Sequence, residues 1–269
     1  LKNNYKLGWF STGRDKAARD LLTVAQRGIA LGEIEAEIAF VFCNRRRGEA
    51  EDSDLFIELV ESYGLPLITF SSKGFKSEHP RLSPRWRAEY DSEVMQRLKG
   101  YDADLCVMAG YMLIISPEMC RRHDLINLHP AAPGGPGGTW QEVIWQLIET
   151  RAESTGVKMH LVTPELDEGP SVTYCTFSIR GRGFDPYWRE IEGKDLAAIK
   201  QEQGENNNLF KAIRRHGLAR EFPLIIATLK AFSRGKVRID NKKIVDADGK
   251  PINGYNLSEE IDKLLKDTP

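Results

Sequence analysis

Apolar residues in this chain fall into short continuous runs separated by stretches of helical period. Residues 6–10 read as a first strand, which passes through Ser11-Thr12-Gly13-Arg14-Asp15 into a helical pattern over 16–27. Residues 34–44 run through Ile-Ala-Phe-Val-Phe-Cys to Asn44, the unbroken apolar run expected of a strand covered on both faces. A charged loop over 45–54, a helix over 55–63 with Leu55, Leu59 and Val60 inward, and a third strand over 65–70 follow. Pro80 and Pro84 make residues 71–87 read as an irregular insertion. A helix over 88–98 and a buried strand over 104–109 come next, and Ser116 before Pro117 marks a helix start.

The pattern then changes at Leu-Ile-Asn-Leu-His-Pro-Ala-Ala-Pro-Gly-Gly-Pro-Gly-Gly, residues 125–138. A short strand carries Asn127 and His129 two residues apart, on one face of an extended backbone, and runs into proline and glycine that forbid regular structure. A helix over 140–150 is striped by Val143, Ile144, Leu147 and Ile148, and the alternating segment 156–163 carries His160. Pro164-Glu165-Leu166-Asp167-Glu168-Gly169-Pro170 leads to a strand over 171–179. Strand and helix alternation predicts an α/β fold with a mostly parallel sheet, whose ligands bind beyond the carboxyl ends of the strands. The Ser11 turn, Asn44, the Gly110 turn and Asn127 with His129 are thus expected along one edge. Further on, helices over 210–215 and 219–232, the latter interrupted at Pro223, precede a hairpin over 237–245 and an amphipathic helix over 258–265.

Composition narrows the partners. With 269 residues, 41% hydrophobic and 29% charged, the chain can bury a sizeable core, and 38 Lys and Arg against 39 Asp and Glu leave a net charge of −1. No global charge favours nucleic acid or a membrane surface, and no apolar run approaches a membrane span. A cytoplasmic location is expected. Cys43, Cys106, Cys120 and Cys175 lie far apart, three in or beside apolar runs, as buried thiols do; no metal is called for.

Several motifs in order resemble the folate-dependent formyltransferases, most closely the branch that acts on glycinamide ribonucleotide. These are Ser11-Thr12-Gly13, Asn44, Ala109-Gly110-Tyr111-Met112, Asn127-x-His129-Pro130, Leu166-Asp167-Glu168-Gly169-Pro170 and Glu221-Phe222-Pro223. The resemblance runs from about residue 6 to 245. It implies a three-layer Rossmann-like sheet, the formyltransferase fold, over residues 1–245, with an unmatched insertion at about 180–208 and a carboxyl-terminal extension over 246–269. It implies Asn127, His129 and Asp167 as the catalytic group. A neutral amide can steady an oxyanion, an imidazole can move protons near neutrality, and a carboxylate can hold the imidazole or a relaying water. The cosubstrate is 10-formyltetrahydrofolate, expected against Met112, Leu113, Ile114 and Ile115 and against Pro164, Glu165, Leu166 and Glu168. Ser11, Thr12, Gly13, Arg14 and His160 are the expected acceptor contacts.

Departures from the pattern concern the acceptor. The family's glycine-rich phosphate turn is replaced here by Asp15, Lys16 and Ala17, leaving less room for a phosphate and a carboxylate that repels it. The loop over 133–138 is more flexible and apolar than the family's. The expected partner is therefore a small amine, with or without a phosphate, bound by a monomer or homodimer. A hydrolase that passes the formyl group to water, a transferase acting on a nucleotide sugar, and a folate-binding relative without turnover are the competing readings. The hydrolase carries an amino-terminal regulatory domain, and only a few residues precede the first strand here.

Overall fold

The computed structural model describes residues 4–76, 83–165 and 167–267. In chain order the first half comprises β1 (Tyr5–Ser11), α1 (Lys16–Ala30), β2 (Ala36–Cys43), α2 (Glu51–Ser62), β3 (Leu67–Thr69), α3 (Pro84–Arg97), β4 (Leu105–Met108), α4 (Pro117–Arg122) and β5 (Leu125–His129). The second comprises α5 (Trp140–Glu149), β6 (Ser154–Leu161), β7 (Ser171–Ser178), α6 (Asp185–Ile191), α7 (Leu196–Gln203), α8 (Asn208–Ser233), β8 (Val237–Asp240), β9 (Lys243–Asp246), β10 (Tyr255–Asn256) and α9 (Ser258–Asp267).

Eight strands form one sheet in the order β10-β7-β6-β5-β4-β1-β2-β3, and β8 and β9 form the expected hairpin apart from it. Only β6 runs against its two neighbours; every other pairing in the large sheet is parallel. Alternation along β1 shows how the layers arise. Leu7 and Trp9 enter a core shared with α1, α2, α8 and α9, whereas Phe10 enters the opposite core with Trp86, Tyr90 and Val94 of α3 and Met119 of α4. A third cluster joins α5 and the start of α8 to Ile191 and Ile199, so the 180–208 segment packs by its own small helices. The four cysteines are buried and free. No helix among the described residues is long and apolar enough to cross a membrane.

Three elements differ from expectation. The helix α2 starts at Glu51, with Glu51, Asp52 and Asp54 in its first turn, where acidic groups oppose the positive end of the dipole. Its inner face is Ser53, Phe56, Ile57 and Val60, and Leu55 is exposed. Pro84 opens α3 at its first turn behind the N-cap Ser83, whose hydroxyl accepts from the Trp86 N–H. Pro80 and the rest of 77–82 lie outside the described residues. The two helices expected around Pro223 are one helix of 26 residues, α8. An interior proline costs about 3 kcal/mol, and Leu224, Ile225, Ala227, Leu229 and Phe232, all buried against the sheet, offset it.

One buried carboxylate braces the segment that will matter below. Asp91 of α3 is 1% exposed and accepts from the backbone N–H of Ser116 at 2.5 Å, which fixes the run from Met112 to α4. Burial pushes the Asp91 carboxyl up from 3.8 to about 6, against the hydrogen bonds from Ser116, which lower it. The fold therefore holds a proton that the unfolded chain has lost, and this group's contribution to stability falls as pH rises from about 4 to about 6. Asp91→Asn keeps an acceptor and removes the charge. Followed by thermal unfolding, the variant should gain about 1–3 kcal/mol on the wild type across that pH window; a constant difference between the two would contradict the assignment.

Candidate active site

The antiparallel pairing of β5 with β6 assembles the site. Asn127 stands opposite His160 and His129 opposite Lys158, so all four side chains share one face of the sheet. On β4, Met108 pairs with Asn127, and on β7, Tyr174 pairs with Lys158, extending the same two rows. The chain from Leu161 to Pro170 then folds back over this face. It is closed by the Leu161 N–H donating to the Pro170 carbonyl at 3.0 Å, and Asp167 sits within it at φ 60°. Aspartate tolerates this left-handed conformation better than most side chains, and here it turns the carboxylate back onto both histidines.

Both rings are almost fully buried. His129 Nε2 lies 2.9 Å from the Pro136 carbonyl, which can only accept, so this nitrogen carries the proton and Nδ1 is bare in the neutral ring. That bare Nδ1 is 3.9 Å from one Asp167 oxygen. His160 Nδ1 donates to the Leu161 carbonyl at 3.2 Å, and its Nε2, without a hydrogen-bond partner, is 3.5 Å from the other Asp167 oxygen. Desolvation pushes His160 down from 6.5 to about 4, outweighing the attraction of Asp167. His160 is therefore neutral at neutral pH. Two bare nitrogens and a carboxylate converge with no donor between them, an arrangement complementary to an N–H or O–H group of a ligand.

Beside this hollow opens a cleft of about 210 Å³ lined by Met108, Tyr111, Met112, Leu113, Ile114, Ile115, Val162 and Thr163, with Asn127, His160 and Asp167 at its polar end. The walls are mainly apolar, and the Tyr111 hydroxyl is buried in them without a partner. Of the residues expected around a bound cosubstrate, Met112 to Ile115 line this cleft. Pro164, Glu165 and Glu168 are exposed and do not line it, and Leu166 lies outside the described residues. Tyr111 belongs to the Ala109-Gly110-Tyr111-Met112 motif without an assigned role, and Met108, Val162 and Thr163 were not singled out from the sequence, where they read as strand residues. A larger hollow of about 280 Å³ between Arg180, Trp188, Arg189 and Ile148 lies just past the end of β7 and contains none of the converging groups. The smaller cleft, with the converging groups at its end, is the candidate site. No group of three or more His, Cys, Asp and Glu among the described residues is arranged to hold a metal ion.

The turn after β1 reaches the same edge but spends its polar groups internally. Ser11 Oγ accepts from the Gly13 N–H at 3.0 Å, and Thr12 Oγ1 accepts from the Met112 N–H at 3.0 Å, tying this turn to the cleft wall. Gly13 takes φ 60°, with Phe56 packed where a side chain would be. Asp15 caps α1 by accepting from the Ala18 N–H at 3.0 Å, and the exposed Arg14 pairs with Asp15. An anion at this helix start would meet a carboxylate already in place.

The profile of the formyl transferase family matches residues 11–180. The chain belongs to that family. Phosphoribosylglycinamide formyltransferase of Escherichia coli K12 is 26% identical over 232 residues, covering 84% of this chain and 89% of the relative. Formyltetrahydrofolate deformylase of Bacillus subtilis is 28% identical over 144 residues, covering 52% of this chain and 41% of the relative. Among solved structures, the phosphoribosylglycinamide formyltransferase of Coxiella burnetii superposes with a TM-score of 0.63 at 18% identity, covering 94% of this chain and 99% of that one. The mostly parallel α/β sheet is thus the formyltransferase fold.

In this formyl transferase the Asp167 loop depends on Gly169. A Cβ there would overlap the Leu161 carbonyl oxygen and press on the Thr163 side chain. Backbone cannot yield as a side-chain tip can, so Gly169→Ala should lower stability by about 1–3 kcal/mol in denaturant unfolding. An unchanged midpoint would mean that the loop is not packed as described.

Proposed function

We propose that this chain transfers a formyl group from 10-formyltetrahydrofolate to the amine of a small acceptor, with glycinamide ribonucleotide the acceptor that the relatives favour. The observation that carries the reading is the hollow of hydrogen-bond acceptors, His129 Nδ1, His160 Nε2 and Asp167, at the polar end of an apolar cleft. The cleft suits a flat heteroaromatic ring. Its walls are aliphatic and aromatic, and Asn127, Thr163 and Asp167 along it offer donors and acceptors to the polar edge of such a ring or its substituents. Met112, Leu113, Ile114 and Ile115 are the residues that would hold the folate, which supplies the formyl group.

The chain's own groups divide the remaining work. Asn127 offers amide N–H donors to the carbonyl oxygen, where negative charge develops. Asp167 and His129 Nδ1 receive the N–H groups of the acceptor, and His129 takes up the proton released as its nitrogen bonds to carbon. The hydrogen bond from Nε2 to Pro136 fixes which nitrogen does so, and the neutral His160 narrows the hollow without adding charge. Ser11, Thr12, Gly13 and Arg14 form the acceptor-side rim in this reading.

Release of tetrahydrofolate from 10-formyltetrahydrofolate, followed with and without glycinamide ribonucleotide, tests the proposal. Amine-dependent release is the expected result. Release that ignores the amine would replace transfer by hydrolysis, and folate binding without release would mark a non-catalytic relative. His129→Ala and Asp167→Asn should each slow turnover by about 10²–10⁴-fold; full activity in either variant would remove that residue from the mechanism.

A further inference from the structure

Lys158 is the one charged side chain on the site's face of β6, and the proposed reaction has so far not used it. Its residue is 92% buried, being 8% exposed. It makes no hydrogen bond or close ion pair with any described residue, and Asp167 is the charge that it feels. It stands opposite His129 on β5 and Tyr174 on β7, two positions from His160 on its own strand, and under the Asp167 loop. These are the titratable groups that face it. The stem is enclosed while the ammonium is not among the sealed, unpartnered atoms, so the charge ends at the open part of the site, where a lysine is kept for another charge that arrives.

We propose that Lys158 is an anion-binding group of this site, whose ammonium takes up the negative charge that formyl transfer places on the carbonyl oxygen. The inference rests on the formyl-transfer reading above and adds a residue to it. As the acceptor nitrogen bonds to the formyl carbon, the carbonyl π pair moves onto oxygen. Lys158, keeping its proton throughout, faces that oxygen together with the neutral amide of Asn127. When the bond from carbon to the folate nitrogen breaks, the pair returns to the carbonyl and the folate nitrogen takes the proton that His129 accepted from the amine. A full charge at a partly desolvated site is worth more than the same charge in water. It also balances Asp167, beside which His160 is neutral.

Lys158 must be protonated to act, and burial lowers its proton affinity below the ordinary lysine value of 10.5. Turnover should therefore fall on the alkaline side as the ammonium is lost, and Lys158→Arg, which keeps its charge, should abolish that limb while retaining much of the neutral rate. Lys158→Met fills the same space without charge and should lower kcat about 10–100-fold with the folate KM within about twofold. A readout independent of turnover is the line broadening of ¹³C-formate, a one-carbon anion, titrated into the protein at constant ionic strength. Wild type and Lys158→Arg should bind it, and Lys158→Met should lose at least tenfold in affinity. An alkaline limb that survives in Lys158→Arg, a rate that rises through it, or formate binding unchanged in Lys158→Met would overturn the proposal. Wild-type protein that binds folate yet releases no tetrahydrofolate would sink the transfer reading, whereas release unaffected by Lys158→Met would sink this inference alone.

Discussion

The site depends on the register of one pair of strands. Because β5 and β6 run antiparallel with Asn127 against His160 and His129 against Lys158, four polar side chains arrive on one face within two rows. A slip of one residue would send Lys158 and His160 to the opposite face, exchanging them with Val157, Met159 and Leu161 of the core. The hydrophobic alternation of β6 thus specifies the chemistry as firmly as it specifies the packing. Burying Lys158 and two imidazoles is the strained side of this arrangement, and the three aliphatic residues on the other face of β6 stabilise it.

Much of the frame could be read from the chain. Alternation and run length located the strands around Asn127, His129 and His160, and Ser116-Pro117 marked the start of α4 because a hydroxyl cap and a proline without an N–H suit those two positions. Where local signals failed, tertiary packing had overridden them. Pro223 argued for a break in α8, and the apolar face on either side of it carried the helix through. Pro84 looked like an obstacle and proved to be a first-turn residue. The parallel strand β10 left no local signature, since two residues cannot show a period.

The candidate site was legible in its residues and less so in its geometry. Asn127, His129 and Asp167 stood out by spacing and resemblance. That Asp167 faces two bare imidazole nitrogens follows from its left-handed backbone and from the Pro136 carbonyl, neither of which a sequence pattern reports. Lys158 went unremarked because one lysine on an alternating strand reads as a solvent-facing residue. Only the fold shows that both faces of β6 are covered. The turn after β1 illustrates the reverse case: its anion-binding look fades once Asp15 is seen to cap α1.

The two ends of the large sheet have a meaning of their own. Its outermost strands, β3 and β10, contain three and two residues, so neither offers a length of free backbone to which another extended chain could add. The late segment that supplies β10 shields the eight-residue β7, holds it further through Leu257 donating to the Tyr174 carbonyl, and roofs it with α9. A part of the chain remote from the chemistry thereby acts as a guard against aggregation, protecting the flank on which Tyr174 and Lys158 lie.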